Sequence, residues 1–133
     1  MIISHSRKFI FLKTRKTAGT SLEIALSKYC GPRDILTPIN YDEDARAEIS
    51  AMKAQNYGKP LAKYRLSDVI RRVVKGVQPV QYTEHMMAVN ARKLIGETIW
   101  RDYFKFTIVR NSFDRMLSRF HWTMEMRPQY AAD

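Results

Sequence analysis

With one cysteine in 133 residues, Cys30 has no partner within the chain, so no intrachain disulfide can staple this fold. That suits a reducing compartment, and a cytoplasmic location is the expectation. Acidic side chains are scarce: 13 Asp and Glu stand against 23 Lys and Arg, a formal charge of +10. No apolar stretch approaches the ~18 residues that a membrane span needs. His5, Arg7 and Lys8 interrupt the apolar start of the chain, so neither a span nor an export signal is expected. Only five glycines and five prolines are present, which excludes collagenous and low-complexity classes. There is no repeat and no linker long enough to divide the chain, which reads as a single domain over residues 1–133. No His and Cys pair has metal-ligand spacing, and zinc-finger and aromatic-glycine RNA patterns are missing too. A metal is therefore not expected, and the surplus positive charge predicts attraction to polyanions, whether nucleic acid, acidic glycans or phosphorylated small molecules, among which charge alone does not choose.

What is present suffices for a core: 45% of the residues are hydrophobic and 11% aromatic. Residues 8–12 (Lys-Phe-Ile-Phe-Leu) read as a strand buried on both faces, as in a parallel sheet. Beyond a loop at residues 13–19, Leu22, Ala25, Leu26 and Tyr29 recur at helical spacing, predicting a helix from about Thr20 to Cys30. Residues 34–38 read as a brief extended piece. Asn40 followed by Glu43 reads as the cap of a polar helix running to about Lys53. Residues 59–75 hold six basic side chains against Asp68 alone, on a loop and a short helix from Ser67 to Gly76, either a solvated face or a ligand surface. Residues 80–82 read as a second short strand. Thr83 then caps a helix lined by Met87, Ala91, Leu94 and Ile95, which Gly96 ends. Residues 104–109 predict a strand, and Phe113, Met116, Leu117, Phe120 and Met124 line one face of a closing helix.

Two strand-to-helix turns carry the chemistry. The first is Lys13-Thr14-Arg15-Lys16-Thr17-Ala18-Gly19-Thr20-Ser21. A small-residue loop entering a helix points the unpaired N–H groups of Gly19, Thr20 and Ser21 at one spot, where the helix dipole favours negative charge. Lys16 and the hydroxyls add donors, making an anion cradle. The nucleoside-triphosphate loop pattern fails, because Gly19 is followed by Thr20 and the lysine lies three residues earlier. In the second turn, Arg110-Asn111-Ser112 precedes Phe113-Asp114-Arg115, with Ser118 beyond. Arginine grips phosphate bidentately and a helical serine can complete the shell. A plainer role for Arg110 is an ion pair with Asp114.

Together the turns resemble the sulfotransferase family that uses 3′-phosphoadenosine 5′-phosphosulfate (PAPS). Residues 13–23 resemble its 5′-phosphosulfate loop, and residues 106–120 its 3′-phosphate motif V-R-N-P-x-D-R-x-x-S, with Ser112 where the family has proline. Weaker matches at residues 31–38, 55–57 and 84–88 resemble the bacterial branch related to Golgi carbohydrate sulfotransferases. The resemblance implies an α/β, P-loop-like three-layer fold, a short parallel sheet flanked by helices. It implies PAPS as co-substrate and no metal. Lys13, Arg15, Lys16, Thr17, Gly19, Thr20, Ser21, Arg110 and Ser118 would hold the nucleotide, and Lys16 would also stabilise the leaving group. His85, or Glu84 in its place, would take a proton from the acceptor hydroxyl or amine, a carbohydrate being one candidate. His85 has an alternative role in bonding backbone or packing on Tyr82. Family members run longer, so the resemblance also implies an incomplete domain: a fragment, a truncated product or a half-site that needs a partner. Two other functions stay open, a nucleotide-binding remnant without turnover and a basic nucleic-acid binder.

Overall fold

The computed structural model describes residues 1–39 and 41–126. The apolar start of the chain forms two strands where the sequence reading has one. β1 (Ile2–Ser4) and β2 (Phe9–Phe11) make an antiparallel hairpin in which Ile2 faces Phe11 and Ile3 faces Ile10. The turn between them is held by Asp34. Its carboxylate accepts from the N–H groups of His5 (2.7 Å), Ser6 (3.0 Å) and Gly31 (2.8 Å) and from the hydroxyls of Ser4 (2.8 Å) and Ser6 (2.7 Å). Burial pushes the Asp34 carboxyl upward, but these hydrogen bonds outweigh it and hold the group below the usual aspartate value.

β1 also pairs antiparallel with β3 (Ile35–Leu36), while β2 pairs parallel with β4 (Phe104–Phe106), giving the order β3-β1-β2-β4. The sheet is therefore mixed. Because β1 alone runs against the rest, β2, β3 and β4 point the same way and their carboxyl ends share one edge. β4 stops at Phe106, three residues short of the expected strand. It borders the sheet with Phe104 exposed.

Alternation along the strands sends side chains to both faces, as a three-layer arrangement requires. Ile2, Phe11 and Leu36 pack with Leu22 and Leu26 of α1 (Gly19–Ser27). Ile3, Ile10 and Ile35 pack with Ala91 and Ile95 of a helix on the other face and with Trp100 of the next. After β3, α2 (Glu43–Ser50) packs against α1; the expected cap Asn40 lies outside the described residues. α3 (Leu66–Lys75) matches the expected short basic helix but buries no residue. Residues 80–82 form no strand, only a bridge of Val80 with Gly58.

The next helix, α4 (Ala88–Ile95), starts five residues after Thr83, whose carbonyl instead closes a turn by accepting from Met86 N–H at 3.3 Å. Glu84 and His85 thus lie in a turn ahead of the helix, and Met87 is exposed, not core. Gly96, with φ of 85°, ends α4 and leads into α5 (Glu97–Asp102), a helix the sequence reading lacks. The chain continues through β4 to α6 (Ser112–Met126), which buries none of its residues.

Candidate functional site

Parallel pairing puts the segments that follow β2 and β4 at the same edge of the sheet, since Phe11 and Phe106 stand opposite each other. The Leu12 N–H extends the ladder to the Phe106 carbonyl at 3.0 Å. The Thr14 hydroxyl then donates to the Ile108 carbonyl at 2.9 Å, which ties the first turn to the segment leading into Arg110. Farther along, the Lys16 ammonium lies 5.5 Å from the centre of the Trp122 ring on α6, a cation–π contact. Both turns of the sequence motif therefore meet at one end of the sheet.

Within the first turn, Lys16 (φ 60°) and Ala18 (φ 59°) are left-handed, a conformation that costs non-glycine residues energy. Buried Thr17 helps hold it, donating to the Thr14 carbonyl at 3.1 Å, with the two threonine hydroxyls 2.9 Å apart. α1 starts with no side-chain cap. Its first backbone bond runs from Leu22 N–H to the Ala18 carbonyl at 3.4 Å, so the N–H groups of Gly19, Thr20 and Ser21 precede the ladder and are free for an anion. Arg15 and Ser21 are exposed beside them.

Lys13 behaves differently from the loop's other donors. Its side chain turns inward to 5% exposure, and its ammonium contacts both Glu84 and Glu23, the latter at 3.2 Å. Glu23 is fully buried, and its other oxygen takes the Met1 ammonium at 2.8 Å and Arg46 at 3.0 Å. Thr37 completes this cluster: its hydroxyl accepts from the Met1 ammonium at 2.7 Å and its carbonyl accepts from Arg46 at 3.0 Å. Burial lowers the affinity of the Met1 amino group for its proton, although Glu23 opposes the change. Glu23, Arg46 and Thr37 are not legible in the sequence, because neither a single charge on a helix nor a threonine in an extended segment carries a sign of burial.

His85 adjoins the same loop. Its Nδ1 lies 3.2 Å from the Lys13 carbonyl, an acceptor only, so Nδ1 is the donor there, and in the neutral ring Nε2 is the nitrogen left with the lone pair. Nε2 is 3.8 Å from Glu84. His85 thus bonds backbone, as one of the two expectations holds, while keeping its second nitrogen available.

On the second turn, Arg110 is exposed, and among the described residues no carboxylate lies within 4.0 Å of it, so the Arg110–Asp114 pair does not form. Val109 before it is exposed as well, since the buried strand has already ended. Asn111 caps α6: its side-chain oxygen accepts from Phe113 N–H at 2.9 Å and its carbonyl from Arg115 N–H at 2.9 Å. Ser118 is half-buried on that helix. A cleft of about 540 Å³ lies elsewhere, between residues 54–61 and Tyr64, Arg72 and Gln78, and includes none of the expected site residues. Cys30 follows α1, with its thiol pushed up to about 12 by burial and then by nearby Asp34, so it is an unreactive thiol. Among the described residues no group of His, Cys, Asp and Glu is arranged for a metal ion, and no helix is long and apolar enough to cross a membrane.

Compared with models of known families, residues 1–130 match the sulfotransferase family. No curated protein and no solved structure matches the chain.

Proposed function

Since the chain belongs to the sulfotransferase family, we infer that it moves a sulfuryl group from PAPS to a hydroxyl or amine of an acceptor, a carbohydrate being one candidate. The observation that carries this reading is the Thr14 hydroxyl bond to the Ile108 carbonyl, which draws the loop of residues 13–18 and the approach to Arg110 together. A nucleotide phosphorylated at both ends needs two anion sites, and the two turns supply one each. The free N–H groups of Gly19, Thr20 and Ser21 hold the 5′-phosphate, with Arg15 and the Ser21 hydroxyl at its rim. Arg110 and Ser118 hold the 3′-phosphate. Thr17 shapes the loop, and Lys13 keeps Glu84 in place.

Transfer proceeds in line through a loose transition state, as in phosphoryl transfer. His85 Nε2 takes the proton from the acceptor, whose oxygen or nitrogen bonds to sulfur as the bond from sulfur to the bridging phosphate oxygen breaks. Lys16 stabilises the negative charge left on that oxygen. Glu84, 3.8 Å from Nε2, offsets the charge of the imidazolium that forms. Cys30 as a lone thiol supports a cytoplasmic site of action.

The test is calorimetric titration of adenosine 3′,5′-bisphosphate, the spent donor, followed by a sulfate-transfer screen with labelled PAPS. Binding by the wild type that both Lys16→Ala and Arg110→Ala remove supports the site. Binding unchanged in both variants ends it. Binding without transfer to any acceptor identifies a nucleotide-binding protein that lacks turnover, and no binding with salt-dependent DNA or RNA binding transfers the charge argument to nucleic acid.

A further inference from the structure

Helix α3 is unlike the helices that cover the sheet, because all of its apolar surface faces solvent. Leu66, Val69, Ile70, Val73, Val74 and, just past the helix end, Val77 are between 44% and 79% exposed. At 3.6 residues per turn the five on the helix occupy one stripe about 140° wide. The opposite side carries Arg71, Arg72 and Lys75, and Lys63 and Arg65 lie just before the helix. Asp68, the one carboxylate of the segment, is already paired with Lys59 and accepts the Arg65 N–H. Arg72 leans on the Tyr64 ring at 5.9 Å and donates to its hydroxyl at 3.2 Å, which holds the basic flank against the turn before the helix.

A short helix with a continuous aliphatic stripe and a cationic flank suits an interface that is oily and negatively charged at once, which is the surface of an anionic bilayer. A protein partner would have to offer an apolar groove and carboxylates beside it, whereas an anionic bilayer supplies both along its whole surface. α6 shows the contrast: its apolar side chains are exposed too, but Arg115 and Arg119 are balanced by Asp114 and Glu125, so charge names no partner for it. We propose that α3 is a peripheral membrane-docking element, which lies flat on anionic lipid with Val73 and its neighbours inserted, Arg71 and Arg72 reaching the headgroups from the two edges of the stripe, and Lys75 on the polar face adding attraction to the anionic surface.

Cosedimentation with large unilamellar vesicles tests this, comparing phosphatidylcholine alone with vesicles in which roughly a third of the lipid is phosphatidylglycerol. The expected result is binding to the anionic vesicles only, weakened as salt rises from about 0.1 M to about 0.5 M. Val73→Asp should abolish it, and the double change Arg71→Gln with Lys75→Gln should weaken it about thirtyfold. These side chains are exposed, so each variant should melt with the wild type, which separates loss of docking from loss of fold. No binding, or equal binding to both vesicles, overturns the proposal. So does Val73→Asp binding like the wild type, which would reduce the effect to surface charge. Self-association in sedimentation velocity that Val73→Asp abolishes would give the stripe to a second copy and overturn it too.

Discussion

A Cβ on Gly19 would stand 2.7 Å from Cγ of Lys13, so the absence of a side chain at one end of the loop is what lets the lysine at the other end turn inward. Gly19 has no unusual backbone angle. Its role is room, and the lysine cannot yield easily because its far end is held by Glu23 and Glu84. Gly19→Ala should destabilise the protein by about 1–3 kcal/mol through overpacking. It should also weaken binding of adenosine 3′,5′-bisphosphate, since any shift of Lys13 distorts the loop. Thermal melting with and without the nucleotide measures both.

Glu23 is the carboxylate on which three buried positive groups converge, the Met1 ammonium, Lys13 and Arg46. Glu23→Gln removes the charge while keeping the shape, and leaves the buried Met1 ammonium without a carboxylate, while Lys13 keeps Glu84 and Arg46 keeps Glu43. The expected loss is about 3–5 kcal/mol. Denaturant unfolding should show it as a lower midpoint, with Arg46→Met a gentler change because Glu23 retains two cations.

Asp34 governs the acid limb of stability. Its folded carboxyl titrates below the usual aspartate value, so its stabilisation is fully present above about pH 4. It is lost as pH falls through the lowered folded value, because there the unfolded chain has already taken up its proton. Asp34→Asn should lower stability at neutral pH and flatten this acid loss. A melting series from about pH 2 to pH 7 checks the sign, and an unchanged acid limb in the variant would refute the assignment.

His85 should separate binding from chemistry. His85→Ala is expected to lower the sulfuryl transfer rate by about 10²–10⁴-fold while leaving nucleotide affinity close to that of the wild type. A variant that loses nucleotide affinity and rate together would make His85 a support for the loop through the Lys13 carbonyl and nothing more.

Much of this could be read directly from the order of residues. The apolar run ending at Leu12 marked a buried strand, the spacing of Leu22 and Leu26 marked the helix after it, and the two turns around Lys16 and Arg110 carried the family resemblance. These are local signals, set by neighbours a few positions away. β1 escaped notice because a hairpin with a tight turn around Ser6 looks, along the sequence, like one apolar segment broken by charges. The start of α4 was misplaced because Thr83 can cap a helix or close a turn with equal ease, and the chain chose the turn.

What residue order determined by itself is the composition of each element, the charge surplus and the chemistry available at each turn. Which charges would be buried was left to the tertiary structure. Nothing along the sequence distinguishes Lys13 from Lys16, or Glu23 from Glu48. Only the meeting of Met1, α1, Thr37 and α2 makes the first of each pair a buried partner and leaves the second nearer solvent. The same holds for proximity. Parallel pairing of strands more than ninety residues apart brings Thr14 to Ile108, and hydrogen bonding between segments so distant cannot be inferred from either segment alone.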